Sequence, residues 1–146
     1  MFATNHVLIG SAIGLATKNP YIALPVGIAS HFLFDLTPHF GFKDKETKSK
    51  YYIKVAKFDG ILLLLYLAFI TLFFSSPIPL LAGAIGGLLP DLDKPFEYFI
   101  GKKIGKNLWP TFINKFHWGI QNENPKFIYT EIVAFILFNL ILFNSL

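Results

Sequence analysis

A chain of 146 residues has room for one domain. With 53% hydrophobic and 17% aromatic residues against 15% charged, and a mean hydropathy of +0.52, it is neither a disordered chain nor a solvent-bathed globule. It has no cysteine, which excludes disulfides, thiolate zinc sites and a cysteine nucleophile; its net charge of +4 comes from 13 lysines without arginine, so no bidentate reader of bases or phosphates is available and no nucleic-acid-binding fold is expected.

Five apolar segments read as helices: residues 4–17, 21–37, 59–75, 77–89 and 128–146. Charges inside them are absent or confined to an end, and their lengths sit at or below the ~20 residues of a spanning helix, the first and fourth falling furthest short. A soluble helical core would need a charged stripe on most of its helices, whereas Ile61 to Phe74 is apolar all round. The first segment has no lysine ahead of it, unlike a secretory signal, and is read as part of the mature fold. The sequence therefore predicts an all-α fold: a compact integral-membrane bundle of about five helices in a single domain spanning 1–146. A short helical cytoplasmic segment, broken by Pro95, Gly101, Gly105 and Pro110, forms a loop subdomain at about 94–127.

Lysine placement orients this bundle. The loop at 40–58 carries Lys43, Lys45, Lys48, Lys50, Lys54 and Lys57, and the segment at 94–127 carries Lys94, Lys102, Lys103, Lys106, Lys115 and Lys126. Five alternating crossings put both on the side of the N-terminus, leaving only Lys18 opposite. By the positive-inside rule that side is cytoplasmic. The expected location is the cytoplasmic (inner) membrane, N-terminus in and C-terminus out, with the lipid bilayer as partner.

The scarce ionisable residues gather at the same side. His6 starts the first segment; His31 and Asp35 end the second, with His39 just beyond; Asp59 opens the third; Asp91 and Asp93 close the fourth; His117 follows in the loop. Residues four apart share a helix face, so His31 and Asp35 point the same way. Three small-residue stripes lead to this end: Gly14, Gly10, His6; Ala23, Gly27, His31; and Gly83, Gly87, Asp91. Such faces let membrane helices approach closely, which would bring His6, His31, Asp35 and Asp91 into one cluster. Clustered carboxylates repel unless a cation lies between them, and a divalent metal is the economical one. Histidine and carboxylate donors suit zinc best, with manganese or iron as alternatives, and there are ligands for one or two ions. Two other readings remain open: a non-catalytic metal-binding carrier, sensor or structural site, and a structural protein in which Asp59 and Asp93 are helix caps. Glu131, just inside the last helix, would either join the site or, as interfacial carboxylates more often do, snorkel.

The stretches "TNHVLIGSAIGLA", "SHFLFDLTPHF" and "GGLLPDLDKP" together resemble the bacterial membrane-bound, LexA-regulated metal-dependent hydrolases (YdjM-like). That family opens with a histidine before a small-residue helix, has a His-x-x-x-Asp followed by a Thr-Pro-like turn, and carries Pro-Asp-x-Asp at a helix end. It is distantly similar to the helical zinc-dependent phospholipases C. The resemblance covers roughly the first two-thirds of the chain and implies metal-ligand roles for His6, His31, Asp35, Asp91 and Asp93. Downstream, the family's His-Arg and Thr-His-Ser segments are replaced by "NKFHWGIQNE", where His117 stands in as ligand or leaving-group acid. What the resemblance implies is hydrolysis of a phosphoester, such as a phospholipid or nucleotide, by metal-activated water. Asp59 or Asp93 would be the general base or orienter, and the basic loops would attract an anionic headgroup or phosphate.

Overall fold

The computed structural model describes residues 1–41, 45–92, 116–117 and 119–146, and for residues 45–52 the helical backbone alone. It is all-helical: α1 (Ala3–Thr17), α2 (Pro20–Asp35), α3 (Lys45–Phe73), α4 (Pro77–Leu88) running into a 3-10 turn (Leu89–Leu92), and α5 (Ile128–Phe143) after another 3-10 turn (Pro125–Phe127). Asp93 and most of the expected subdomain at 94–127 lie outside the described residues.

Local chemistry sets the boundaries. Lys18 closes α1 in the left-handed conformation (φ 53°), its amide donating to the Gly14 carbonyl at 2.9 Å. One residue later the Asn19 side chain accepts the Tyr21 amide at 2.9 Å, with Pro20 at the first helical position, so α2 restarts at once. The start of α1 has no side-chain cap of its own. Its orphan donors are met from other helices: Asp59 accepts the amides of Ala3 (2.7 Å) and Thr4 (3.1 Å), and Glu131 accepts that of Phe2 (3.1 Å).

The third helix departs from the sequence reading. Residues 40–58 were expected as a loop with Asp59 opening the helix, but α3 begins at Lys45 and Asp59 lies at its middle. Lysine and glutamate are good helix formers, and a helix that projects past an apolar layer tolerates charge there, so apolarity marked only its inner part.

α4 packs against both α1 and α2. The contact is made backbone to backbone: a methyl group at Gly10 would overlap the Gly83 carbonyl, one at Gly83 would overlap the Gly10 carbonyl, and one at Gly87 would overlap the His6 carbonyl. The three predicted small-residue stripes are thus the seam of the bundle. Val7, Leu8, Tyr66, Ile70, Leu80, Ala84 and Leu142 form the buried apolar core beside it.

Ile53–Phe73 (21 residues) and Pro125–Phe143 (19 residues) are long and apolar enough to cross a membrane. Their outward faces expose Leu64, Leu65, Leu72, Val133, Ile136 and Leu140, more contiguous apolar surface than water-facing helices ordinarily show. α1, α2 and α4 have 15, 16 and 12 residues and are shorter than a usual span.

Candidate metal centre

The seam delivers its polar residues to one end. His6 sits one turn into α1, His31 and Asp35 end α2, and Asp91 lies in the turn that ends α4. His39 and His117 arrive by a different route. Residues 35–39 run alongside 122–124 through three backbone hydrogen bonds: Asn122 amide to the Asp35 carbonyl (3.1 Å), His39 amide to the Asn122 carbonyl (3.1 Å), and Asn124 amide to the His39 carbonyl (2.9 Å). This short parallel pairing holds the chain after His117 against the end of α2.

Asp35 is the centre of the arrangement. Around its Oδ1 are the Nε2 of His6 at 3.2 Å, the Met1 amino nitrogen at 3.2 Å and the Nε2 of His39 at 3.8 Å. Around its Oδ2 are the Nε2 of His117 at 3.1 Å and of His31 at 3.3 Å. His31 Nε2 and His117 Nε2 are 3.1 Å apart, and Asp91 Oδ1 lies 4.0 Å from the first and 3.7 Å from the second. All these side chains are buried, with His31, Asp35, His39 and His117 at 0% exposure.

The chemistry of the donor set fits a cation. A carbonyl oxygen only accepts, so the 2.7 Å contact between His31 Nδ1 and the Gly87 carbonyl places the imidazole proton on Nδ1. In the neutral ring Nε2 then presents a lone pair towards Asp35. His39 is fixed likewise, its Nδ1 donating to the Thr37 carbonyl at 2.9 Å and its Nε2 left, among the described residues, with no hydrogen-bond partner. His6 Nδ1 is a second buried nitrogen without one. Among the described residues, two groups have donor atoms close enough to share an ion: His31, Asp35 and His117, and His6, His31 and Asp91. A tetrahedral ion with bonds near 2.0–2.1 Å has ligand atoms about 3.3 Å apart, close to the 3.1–3.3 Å edges among His31, Asp35 and His117. Burial together with the nearby Met1 amino group pushes the His39 imidazole below the ordinary histidine value, which keeps it neutral and able to ligate.

The structure therefore brings together His6, His31, Asp35, His39, Asp91 and His117 of the predicted set. It does not bring Asp59 there: both its carboxylate oxygens hold the α1 amides, and it belongs to neither metal-capable group. Asp93 lies outside the described residues. Glu131 is buried (2% exposed) rather than snorkelling; it accepts Asn5 Nδ2 at 2.6 Å and the Phe2 and Phe40 amides at 3.1 and 3.2 Å, so it ties α1 and the His39 loop to α5.

Sequence reasoning missed three participants. Gln121 places Nε2 3.0 Å from His117 Nε2 and 3.5 Å from Asp35 Oδ2; its signal was the spacing of four from His117, the same as His31 to Asp35. The Gly87 carbonyl that sets the His31 tautomer carries no side-chain signal. The Met1 amino group sits beside Asp35 because Asp59 and Glu131 fix the start of α1. No protein-family model, curated protein or solved structure matches this chain.

Proposed function

We propose that the protein is a membrane-bound, metal-dependent hydrolase acting on a phosphoester, with its centre facing the lysine-rich, cytoplasmic side of the inner membrane. The observation that carries this reading is the convergence of three imidazole Nε2 atoms on the two oxygens of one buried carboxylate, Asp35, at 3.1–3.3 Å. His31, His117 and Asp35, with Asp91 beside them, would hold the ion; His6 and His39 flank the other Asp35 oxygen. Zinc is the favoured metal for a nitrogen and oxygen donor set of this size. Such an ion supplies a water whose pKa falls towards ~7 and polarises a phosphoryl oxygen. The chain's own residues do the positioning: Gly87 orients His31, the 35–39 and 122–124 pairing places His117, and Gln121 offers a side-chain amide next to both His117 and Asp35. The resemblance of the three motifs to membrane-bound metal-dependent hydrolases supports the reaction class.

Placement in a membrane draws support from the two apolar helices and their exposed aliphatic faces. A carrier would continue its polar path to the far side. No histidine, aspartate or glutamate follows His6 in α1, Asp59 in α3 or Glu131 in α5, and none precedes His31 in α2, which favours a site over a pathway. Full burial of His31, Asp35 and His117 favours a second reading, a non-catalytic structural ion.

Metal analysis of detergent-purified protein beside His31→Ala and Asp35→Ala tests the centre. Near-stoichiometric metal in wild type, lost in both variants, is expected; equal substoichiometric metal in all three sinks it. A phosphodiesterase and phosphatase screen with zinc or manganese then separates the two readings. Hydrolysis lost in Asp91→Ala supports the enzyme, and identical background rates support the structural ion.

A further inference from the structure

α3 carries a charged feature that the metal centre leaves unused. Lys50, Lys54 and Lys57 recur at spacings of four and three within Lys45–Phe73, which puts them in register on one helix face. Asp59, 8% exposed, marks the face turned to α1, since it holds the amides of Ala3 and Thr4. At ~100° per residue, Lys54 and Lys57 sit ~140–160° around the helix from it. Both are exposed, and among the described residues neither makes an ion pair. The same face continues through Ile61, Leu64 and Leu72, which are 60%, 67% and 77% exposed. One outward stripe thus changes from ammonium to aliphatic between Lys57 and Ile61.

Depth agrees with that change. From the end of α3 at Phe73, Lys57 lies ~24 Å and Lys54 ~28 Å back along the axis at 1.5 Å per residue. The hydrocarbon layer is ~30 Å thick, so both backbone positions lie just inside its edge, and the flexible stems carry the ammonium groups outward to the level of the lipid phosphates.

We propose that Lys50, Lys54 and Lys57 form a binding surface for the anionic phospholipid headgroups of the lysine-rich leaflet. The proposal rests on the membrane-spanning placement of α3 and not on hydrolysis. Charge complementarity commits it to this occupant: the exposed ammonium groups of Lys54 and Lys57, with Lys50 in register on the same helix face, stand opposite the face that Asp59 turns to α1, with aliphatic surface directly beneath. A juxtamembrane lysine changes partitioning to an anionic surface by about fivefold, and screening by salt removes much of that.

The test uses the full chain reconstituted in phosphatidylcholine vesicles, with spin-labelled phosphatidylglycerol and phosphatidylcholine as probes. Wild type should hold the anionic probe at its surface on the order of tenfold more strongly than the zwitterionic one, and 0.5 M salt should collapse the preference. The triple variant Lys50→Gln, Lys54→Gln, Lys57→Gln should lose it. The triple Lys→Arg variant should keep it, which separates charge from misfolding, and Lys18→Gln should behave as wild type. Excess inorganic phosphate should not displace the lipid; displacement would identify a free-anion site and overturn the proposal. Incorporation into vesicles without anionic preference overturns the proposal alone, whereas failure to incorporate at all overturns the membrane placement with it.

Discussion

His31 donates a hydrogen bond from its Nδ1–H to the carbonyl of Gly87, 2.7 Å away, and so turns its Nε2 towards Asp35 Oδ2 at 3.3 Å. The glycine does two things at once. Its missing side chain lets α4 lie against the His6 carbonyl, and its carbonyl fixes the tautomer of a histidine on α2 that belongs to the candidate metal centre. Helix packing and ligand orientation therefore depend on the same residue.

Gly87→Ala should accordingly lose both. A methyl group there overlaps the His6 carbonyl backbone, which cannot rotate aside. Overpacking of this kind costs about 1–3 kcal/mol, and α4 must shift away from α1, taking Asp91 and the Gly87 carbonyl with it. The expected outcome is a lower thermal midpoint in detergent and loss of bound metal. Gly60→Ala is the matched control, because among the described residues nothing lies within 4 Å of the added methyl. It should leave metal content unchanged and stability unchanged or raised by up to ~1 kcal/mol, the helix-propensity difference. Equal metal content in Gly87→Ala and wild type would show that the seam does not position the ligands.

Much of this arrangement was legible because its carriers are periodic. The spacing of four in His6, Gly10, Gly14, in Gly27, His31, Asp35 and in Gly83, Gly87, Asp91 names both the packing face and the residue it delivers. What periodicity cannot express stayed hidden. Glu131 meets Phe2 and Asn5 across more than 120 residues of chain, and nothing local distinguishes it from a carboxylate at a membrane surface. Asp59 looked like the start of a helix because charge gives way to apolar residues there. Its role as a cap for α1, not for α3, depends on which helices become neighbours. The start of α3 at Lys45 was masked by the same lysines that orient the chain.

Glu131 offers a stability prediction with a clear sign. Glu131→Ala would remove the carboxylate that accepts the Phe2 and Phe40 amides in a buried setting, while Asn5 Nδ2 would lose one acceptor and keep the Glu131 backbone carbonyl at 3.0 Å. Each unsatisfied donor costs about 1–3 kcal/mol, moderated where water or relaxation intervenes. A total loss of roughly 2–4 kcal/mol is expected by that measure, read as a drop in denaturant or thermal midpoint. Glu131→Gln keeps one accepting oxygen and should lose less than half as much. If the two variants are equally stable, the contacts at Glu131 are not what holds the start of α1.

Metal affinity should weaken in acid. Each coordinating imidazole has to be unprotonated to bind, so protons compete with the ion. The sign follows directly: affinity is highest above the pH at which the ligating histidines ionise and falls by up to tenfold per pH unit for each of them below it. A competition titration against a chelator from pH 8 to pH 5 measures that slope. Replacing His117 by glutamine should reduce both the affinity and the slope, by about one proton per ion bound. An affinity independent of pH across this range would mean that binding displaces no proton from an imidazole, and would overturn the prediction.

Single-cysteine labelling decides whether α3 crosses a bilayer, and the chain is suited to it because it has no cysteine of its own. Lys48 lies in the first turns of α3, ~37 Å along the axis from Phe73 at 1.5 Å per residue, more than the ~30 Å hydrocarbon thickness. Ser76 is exposed in the turn immediately after the helix. If α3 spans the membrane, Lys48→Cys and Ser76→Cys must report opposite sides. An impermeant maleimide added to intact cells should label Ser76→Cys and spare Lys48→Cys, with the pattern reversed in inside-out vesicles. Labelling of both from one side would mean that α3 lies along the surface instead of crossing it. The reversed pattern would keep the crossing but invert the lysine-derived orientation, and would turn the metal centre to the outside.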